Sequence, residues 1–346
     1  MHPDSSDRRR PLWFYLALAL ALAAAICAAL VSGPVAISPS RVASLLGWPV
    51  DAPLDAFERT ALLQIRLPRV MLALVVGAAL AVAGAGMQGI VRNPLADPGL
   101  IGVSAGAALA AAAFIVLGVG ATLPPALTLP VVSFAGGAVA AWAVLRLSLV
   151  DGRTRVATML LAGLALNAVA GAGIALLSYV ADDFALRAVT LWMFGSLGRA
   201  SAAELTVGMP LLLVAMLAIP LHARSLNALL LGEAEAQHLG VDVESLKRRM
   251  IALVVLAVAA AVALAGSIGF IGLIVPQLVR LWIGPDHRRL LPASMLLGAL
   301  LLLLADTAAR SLFAPAELPI GVLTALIGGP FFIALLLRYR DRVEMS

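Results

Sequence analysis

The chain has 346 residues, of which 62% are hydrophobic and 12% charged, with a net charge of +5 and a mean hydropathy of +1.04. A soluble domain is nearer half apolar and a quarter charged, so lipid rather than water is the solvent for most of this sequence. The single Cys27 excludes an intrachain disulfide and a thiolate metal cluster, and no G-x-x-x-x-G-K-[ST] loop occurs, which excludes a P-loop in this chain.

Apolar runs of roughly twenty residues cross a bilayer. Such runs fall at 12–33, 62–88, 94–117, 128–147, 156–180, 203–222, 250–267, 268–284, 290–310 and 318–337. They predict an all-α polytopic membrane protein with about ten transmembrane helices in one transmembrane domain spanning 1–346. Around them lie a short tail (1–11), one long loop (223–249) and a closing tail (338–346). The first run is too long for a signal-peptide core and reads as a retained span. No alternating ten-residue segments occur, which excludes a transmembrane barrel. Most of the 24 Lys and Arg fall on the side shared by both termini, including Arg8 to Arg10 and Lys247 to Arg249. By the positive-inside rule both termini are cytoplasmic, and the basic balance reflects topology, not a nucleic-acid face. Ala81-Val82-Ala83-Gly84 and Ala263-Leu264-Ala265-Gly266 lead into Gly- and Pro-broken segments on spans of opposite direction, which suggests an inverted repeat.

Four segments carry more than hydropathy. In QIRLPRVM, Arg66 and Arg69 share one helix face at the outer end, where topology depletes cations and the helix dipole opposes them. Either an acidic partner outside or snorkelling to the headgroups accounts for them. In RNPLADPGL, Asn93, Pro94, Asp97, Pro98 and Gly99 break the longest apolar tract. Proline removes backbone donors, and non-helical backbone at membrane depth survives only inside protein or along water. The segment therefore reads as a cytoplasmic-side turn re-entering as a short helix, against the plainer reading of an ordinary loop. In the long loop, Leu231, Gly232, Glu233, Ala234, Glu235, Ala236, His238, Leu239 and Gly240 form a short polar helix with leucines that have no lipid to face. An inner-leaflet helix would be rich in Lys and Arg, so docking to another protein is favoured. Near the chain's end, Arg310 joins the outer arginines, and Glu317 is the only acid of its loop.

The four histidines lie in cytoplasmic segments, which argues against a haem-bearing cytochrome, and no metal-ligand set is present. Asp306 is the nearest to a mid-span acid. Ion-coupled carriers keep buried acids for their relays, so the energy source is expected to be a partner.

The stretches RLPRVMLALVVGAALAVAGAGMQGIVRNPLADPGLIGVSAGA, GSIGFIGLIVPQLVRL, DHRRLLPASMLLGALLLLLADTAAR and ELPIGVLTALIGGP resemble the FecCD-type permease subunits of type II ABC importers for iron chelates, haem and vitamin B12. The resemblance runs from about Gln64 to Leu337. It implies a homodimer around a central pathway in the bacterial inner membrane, two ATP-binding cassette subunits carrying ATP and Mg inside, and a periplasmic binding protein outside. No cofactor or catalytic residue is implied on this chain, so it is not itself an enzyme. By the resemblance, Arg66, Arg69 and Arg310 match arginines that receive the binding protein, and the loop around 226–246 matches the coupling helices. The loop departs from the ordinary importer spacing, because Gly240 comes one residue late after Glu233. The pathway is expected along the fifth span and the short helix after it, where Met159, Asn167, Tyr179, Met193 and Phe194 are candidates. The expected cargo is an iron chelate, haem before ferric siderophores or cobalamin. The competing classes are an ion-coupled secondary transporter built on Asp306 and a non-transporting membrane scaffold.

Overall fold

The computed structural model describes residues 5–33, 37–43, 54–118, 125–198, 202–312 and 317–343. In order, they form α1 (Ser5–Val31), α2 (Pro39–Ala43) and α3 (Ala56–Thr60), then a π-turn (Ala61–Arg66) that runs into α4 (Leu67–Val91). A 3-10 turn (Pro98–Ile101) precedes α5 (Val103–Leu117), and α6 (Pro125–Ser148) is followed by the hairpin strands β1 (Leu149–Val150) and β2 (Arg153–Thr154). Next come α7 (Val156–Val180), α8 (Asp183–Met193), α9 (Ala202–Leu221), α10 (Ala223–Leu229) and α11 (Glu233–His238). The chain closes with α12 (Val243–Ala265), α13 (Ile271–Ile283), α14 (His287–Ser311) and α15 (Ile320–Val343). Helix reaches back to Ser5 and on to Val343, into both expected tails. Residues 1–4 and 344–346 lie outside the described residues.

Among the described residues, seven helices are long and apolar enough to cross a bilayer. Three further apolar helices, α5, α13 and the described apolar part of α15, are shorter, so length alone supports seven full crossings. The third expected span, 94–117, is helical only from Val103, because Pro94 and Pro98 deny it backbone donors. The seventh and eighth spans, which hydropathy could barely separate, are divided by non-helical backbone at 266–270.

The most enclosed helix is α4, buried over 83% of its apolar window. Its glycines permit this. A Cβ on Gly77 would collide with the Gly298 carbonyl of α14, and one on Gly84 with the Gly272 carbonyl of α13. Without a hydrophobic drive between helices in lipid, such close backbone approach is what holds them. α4 packs on α13 and α14, while α12 packs on α5 and α6. In chain order α4 to α6 and α12 to α14 each run long helix, break, short helix, long helix, and α4 and α12 are antiparallel, with Gly86 against Met250 and Leu80 beside Val258 and Val262. This is the packing an inverted repeat produces.

α13 carries Pro276, which has no N–H for the Gly272 carbonyl four residues earlier. Gln88 of α4 supplies the donor, with Nε2 3.3 Å from both the Gly272 and Leu273 carbonyls. Arg280 in turn donates to Gln88 Oε1 at 2.6 Å.

Gly84→Ala should destabilise the detergent-solubilised protein by more than the ~1–3 kcal/mol of ordinary overpacking, read as a fall in thermal midpoint, because backbone cannot step aside. Gly171→Ala in α7 meets open space and should leave the midpoint unchanged or raised.

Candidate functional site

At one end of the bundle the start of α4, the end of α14 and the end of α1 converge. Arg66, Arg69 and Arg310, expected on the outer surface, are buried at 4%, 7% and 5% exposure. Arg66 Nη1 donates to the Leu30 and Val31 carbonyls at 2.6 and 2.9 Å. Arg310 donates to the Ala29 carbonyl and, at 2.9 Å, to that of Ser32. Both arginines thereby satisfy the carbonyls that the last turn of α1 leaves unpaired. Arg69 Nε donates to both oxygens of Asp306 at 2.9 and 3.1 Å, and its Nη1 to both oxygens of Glu317 at 3.0 Å. Asp306 is fully buried and also lies 3.8 Å from Arg310 Nε. A buried carboxylate persists only when paired in this way. The surface placement of the arginines is therefore corrected: neither free heads nor snorkelling is found, because each guanidinium is drawn inward by carbonyls or carboxylates. They reach solvent at a recess of about 220 Å³ shared with Phe57, Ile65 and Glu317, whose side chain stays 48% exposed.

The two helix breaks meet in the middle of the bundle. Asp97 accepts the Gly99 N–H at 2.6 Å and caps the 3-10 turn. Asn93 Oδ1 accepts the Leu95 N–H at 2.9 Å, and the Pro94 carbonyl accepts Gln277 Nε2 at 3.2 Å. Asp97, Pro98, Gly99 and Ser104 line a recess of about 210 Å³ with Ser267, Gly269 and Phe270 from the other break. The segment 92–102 thus packs with the second break inside the bundle. Phe270, the residue before α13, has a φ of 69°, a strained value for a bulky side chain, and its ring packs where a Cβ on Gly328 would fall.

Of the expected pathway residues, Met193 and Phe194 line a recess of about 440 Å³ with Ser267, Phe270 and the start of α15. Asn167 is half-buried, and its Oδ1 has no hydrogen-bond partner among the described residues. Tyr179 is 86% exposed at the end of α7. Met159 is fully buried in the core. The contribution of residues 267–270 and of α15 was missed, although the glycines flanking Phe270 were a visible sign.

At the opposite end, Gly232 and Gly240, with φ of 130° and 82°, bracket α11. Ala236 is buried beneath it, while Ala234, Glu235, His238 and Leu239 are exposed, as is the preceding Leu231. Glu233 is held by Lys247 at 2.8 Å. Asn227 of α10 accepts the His287 N–H at 2.8 Å and donates to Asp286. Burial opposes ionisation of Asp286, but hydrogen bonds from the Arg288 N–H and Asn227, with the charges of Arg288 and Arg289, outweigh it and hold the carboxyl below its ordinary range.

Residues 21–338 match the FecCD transport family. The chain is 51% identical over 283 residues to the hemin transport system permease protein of Yersinia pestis, covering 81% of this chain and 84% of that one. It is 44% identical over 280 residues to the cobalamin import system permease protein of Halobacterium salinarum, covering 80% and 73%. Among solved structures it matches an ABC transporter of the metal-chelate type in an inward-facing conformation, with a TM-score of 0.83, 33% identity, and coverage of 95% of this chain and 99% of that one.

Arg69→Met leaves Asp306 buried without its main partner and should destabilise the protein by about 3–5 kcal/mol, read as a fall in thermal midpoint. Arg69→Met with Asp306→Leu should recover most of the loss. If the double variant is as unstable as the single one, the pairing account is wrong.

Proposed function

The chain belongs to the FecCD transport family, as the permease subunit of an ABC importer, and from that premise we propose that its cargo is an iron chelate, haem before ferric siderophores or cobalamin. The observation that carries the haem reading is the 51% identity to a hemin permease over most of both chains. An uncharged recess agrees with it: Met193, Phe194 and Phe270 offer apolar faces to a planar macrocycle and no fixed charge. The protein makes and breaks no bond in its cargo.

The working assembly is two copies of this chain, two ATPase subunits and one binding protein, in the bacterial inner membrane with both termini cytoplasmic. α7 is the face available to a second copy, since only 11% of its apolar window is buried. ATP and Mg reside on the ATPase partner. Its groove receives α11, whose exposed Leu231 and Leu239 flank a helix anchored by Ala236 and Lys247. The binding protein's acidic groups enter the recess at Arg66, Arg69 and Arg310 and compete with Glu317 for Arg69. Alternating access then follows from differential affinity: ATP closes the ATPases, and the conformation they bind best is the one populated.

The permease co-purified with its ATPase should hydrolyse ATP faster when binding protein and haem are added together. Stimulation by a ferric siderophore or cobalamin but not by haem would reassign the cargo. Leu231→Asp with Leu239→Asp should cut ATPase co-purification by about tenfold or more, since a charge in a docked apolar contact costs at least that much.

A further inference from the structure

Beside α11 lies a polar cavity of about 630 Å³ between the β1–β2 hairpin and the first turns of α12. The hairpin is a tight Asp151-Gly152 turn, both residues with positive φ, and it leads directly into α7. Thr154 is buried at 4% exposure and is bound entirely to Glu244 of α12. Its Oγ1 donates to Glu244 Oε1 at 2.6 Å, and its N–H lies 3.2 and 3.1 Å from the two carboxylate oxygens. One turn further along α12, Lys247 is 5% exposed and binds Glu233, the first residue of α11, at 2.8 Å. A single stretch of α12 therefore grips the docking helix with one side chain and the base of α7 with another.

Neither contact is what core packing alone would select. Both are charge-assisted bonds at the wall of a polar cavity, strong and directional. Residues that needed only to fill space there would be apolar. Across this cavity the hairpin meets α12 through the Thr154–Glu244 contact.

We propose that Glu244 and Lys247 are positioning residues that couple the ATPase to the pathway: Lys247 carries displacement of α11 into α12, and the Glu244–Thr154 contact carries it into α7. The proposal rests on reading α11 as the ATPase docking helix and specifies how its motion reaches Asn167 and Tyr179.

The test uses the whole complex of permease, ATPase and binding protein in proteoliposomes, with haem uptake and ATP hydrolysis measured together. Thr154→Val keeps the shape and the N–H but removes the hydroxyl bond. It should retain ATP hydrolysis within about twofold while haem moved per ATP falls by about tenfold, the weight of one hydrogen bond to a charged group. Thr154→Ser should restore the ratio. An unchanged ratio in Thr154→Val overturns the proposal. A second measurement does not depend on that variant. Spin labels at Arg153→Cys and Gln237→Cys, with Cys27→Ser, should keep one separation with and without ATP, because hairpin and docking helix move as a unit. A separation that changes with ATP in the complex overturns the link while leaving the importer reading intact. A permease that binds no ATPase overturns both.

Discussion

Backbone-to-backbone contact at glycine is the constraint on which the rest of this structure depends. A lipid-embedded helix gains nothing by hiding leucine from hydrocarbon, so association needs close packing and satisfied polar groups. Gly77 against Gly298 and Gly84 against Gly272 bring α4 into contact with α14 and α13 at a distance no side chain would allow. Gly106 against Gly136 does the same for α5 and α6 in the other half. With the long helices locked at these points, the two breaks can be non-helical, because Ala96, Pro98 and Ile268 are seated in protein. The recesses beside Asp97 and Phe270 exist only because α4 and α12 stand as fixed walls.

The fold was legible in the sequence where solvent dictated it. Apolar length marked the long helices, and Pro94, Pro98 and the Gly-rich run near Phe270 marked the breaks. Placement around each helix was not legible. α4 and α7 are apolar on every side, so no amphipathic stripe tells inside from outside, and Met159 could not be separated from Tyr179 by pattern. The outer arginines show a different limit. Their positions near helix ends were plain, but the partner of Arg69 lies 237 residues away at Asp306, and Arg66 and Arg310 bind carbonyls of α1, which carry no side-chain identity at all. A charge at a helix end reads the same whether it faces a visiting protein or its own chain.

The site divides into parts that are fixed and parts that are poised. Arg69, Asp306 and Glu317 form a ladder from a fully buried acid to a half-exposed one, so the cluster is anchored at depth and exchangeable at its mouth. The loop around α11 follows the same plan: Ala236 and Lys247 are seated, while Leu231 and Leu239 stand clear. In both places one group is anchored within the chain and the next stands exposed.

Pro276 and Gln88 show what such an arrangement means for α13. An ordinary helix carries its own hydrogen bonds wherever it goes. α13 does not: the carbonyl that Pro276 leaves open is closed by a side chain of α4, and that side chain is aimed by Arg280 back on α13. The short helix is thus complete only at one axial setting against its neighbour. A slide of one residue would part Gln88 from the Gly272 carbonyl, which has no other donor on the helix, and from Arg280. α13 accordingly behaves as a detent, resting at one notch and passing others only in a concerted step, so this wall of the bundle has discrete positions and not a continuum.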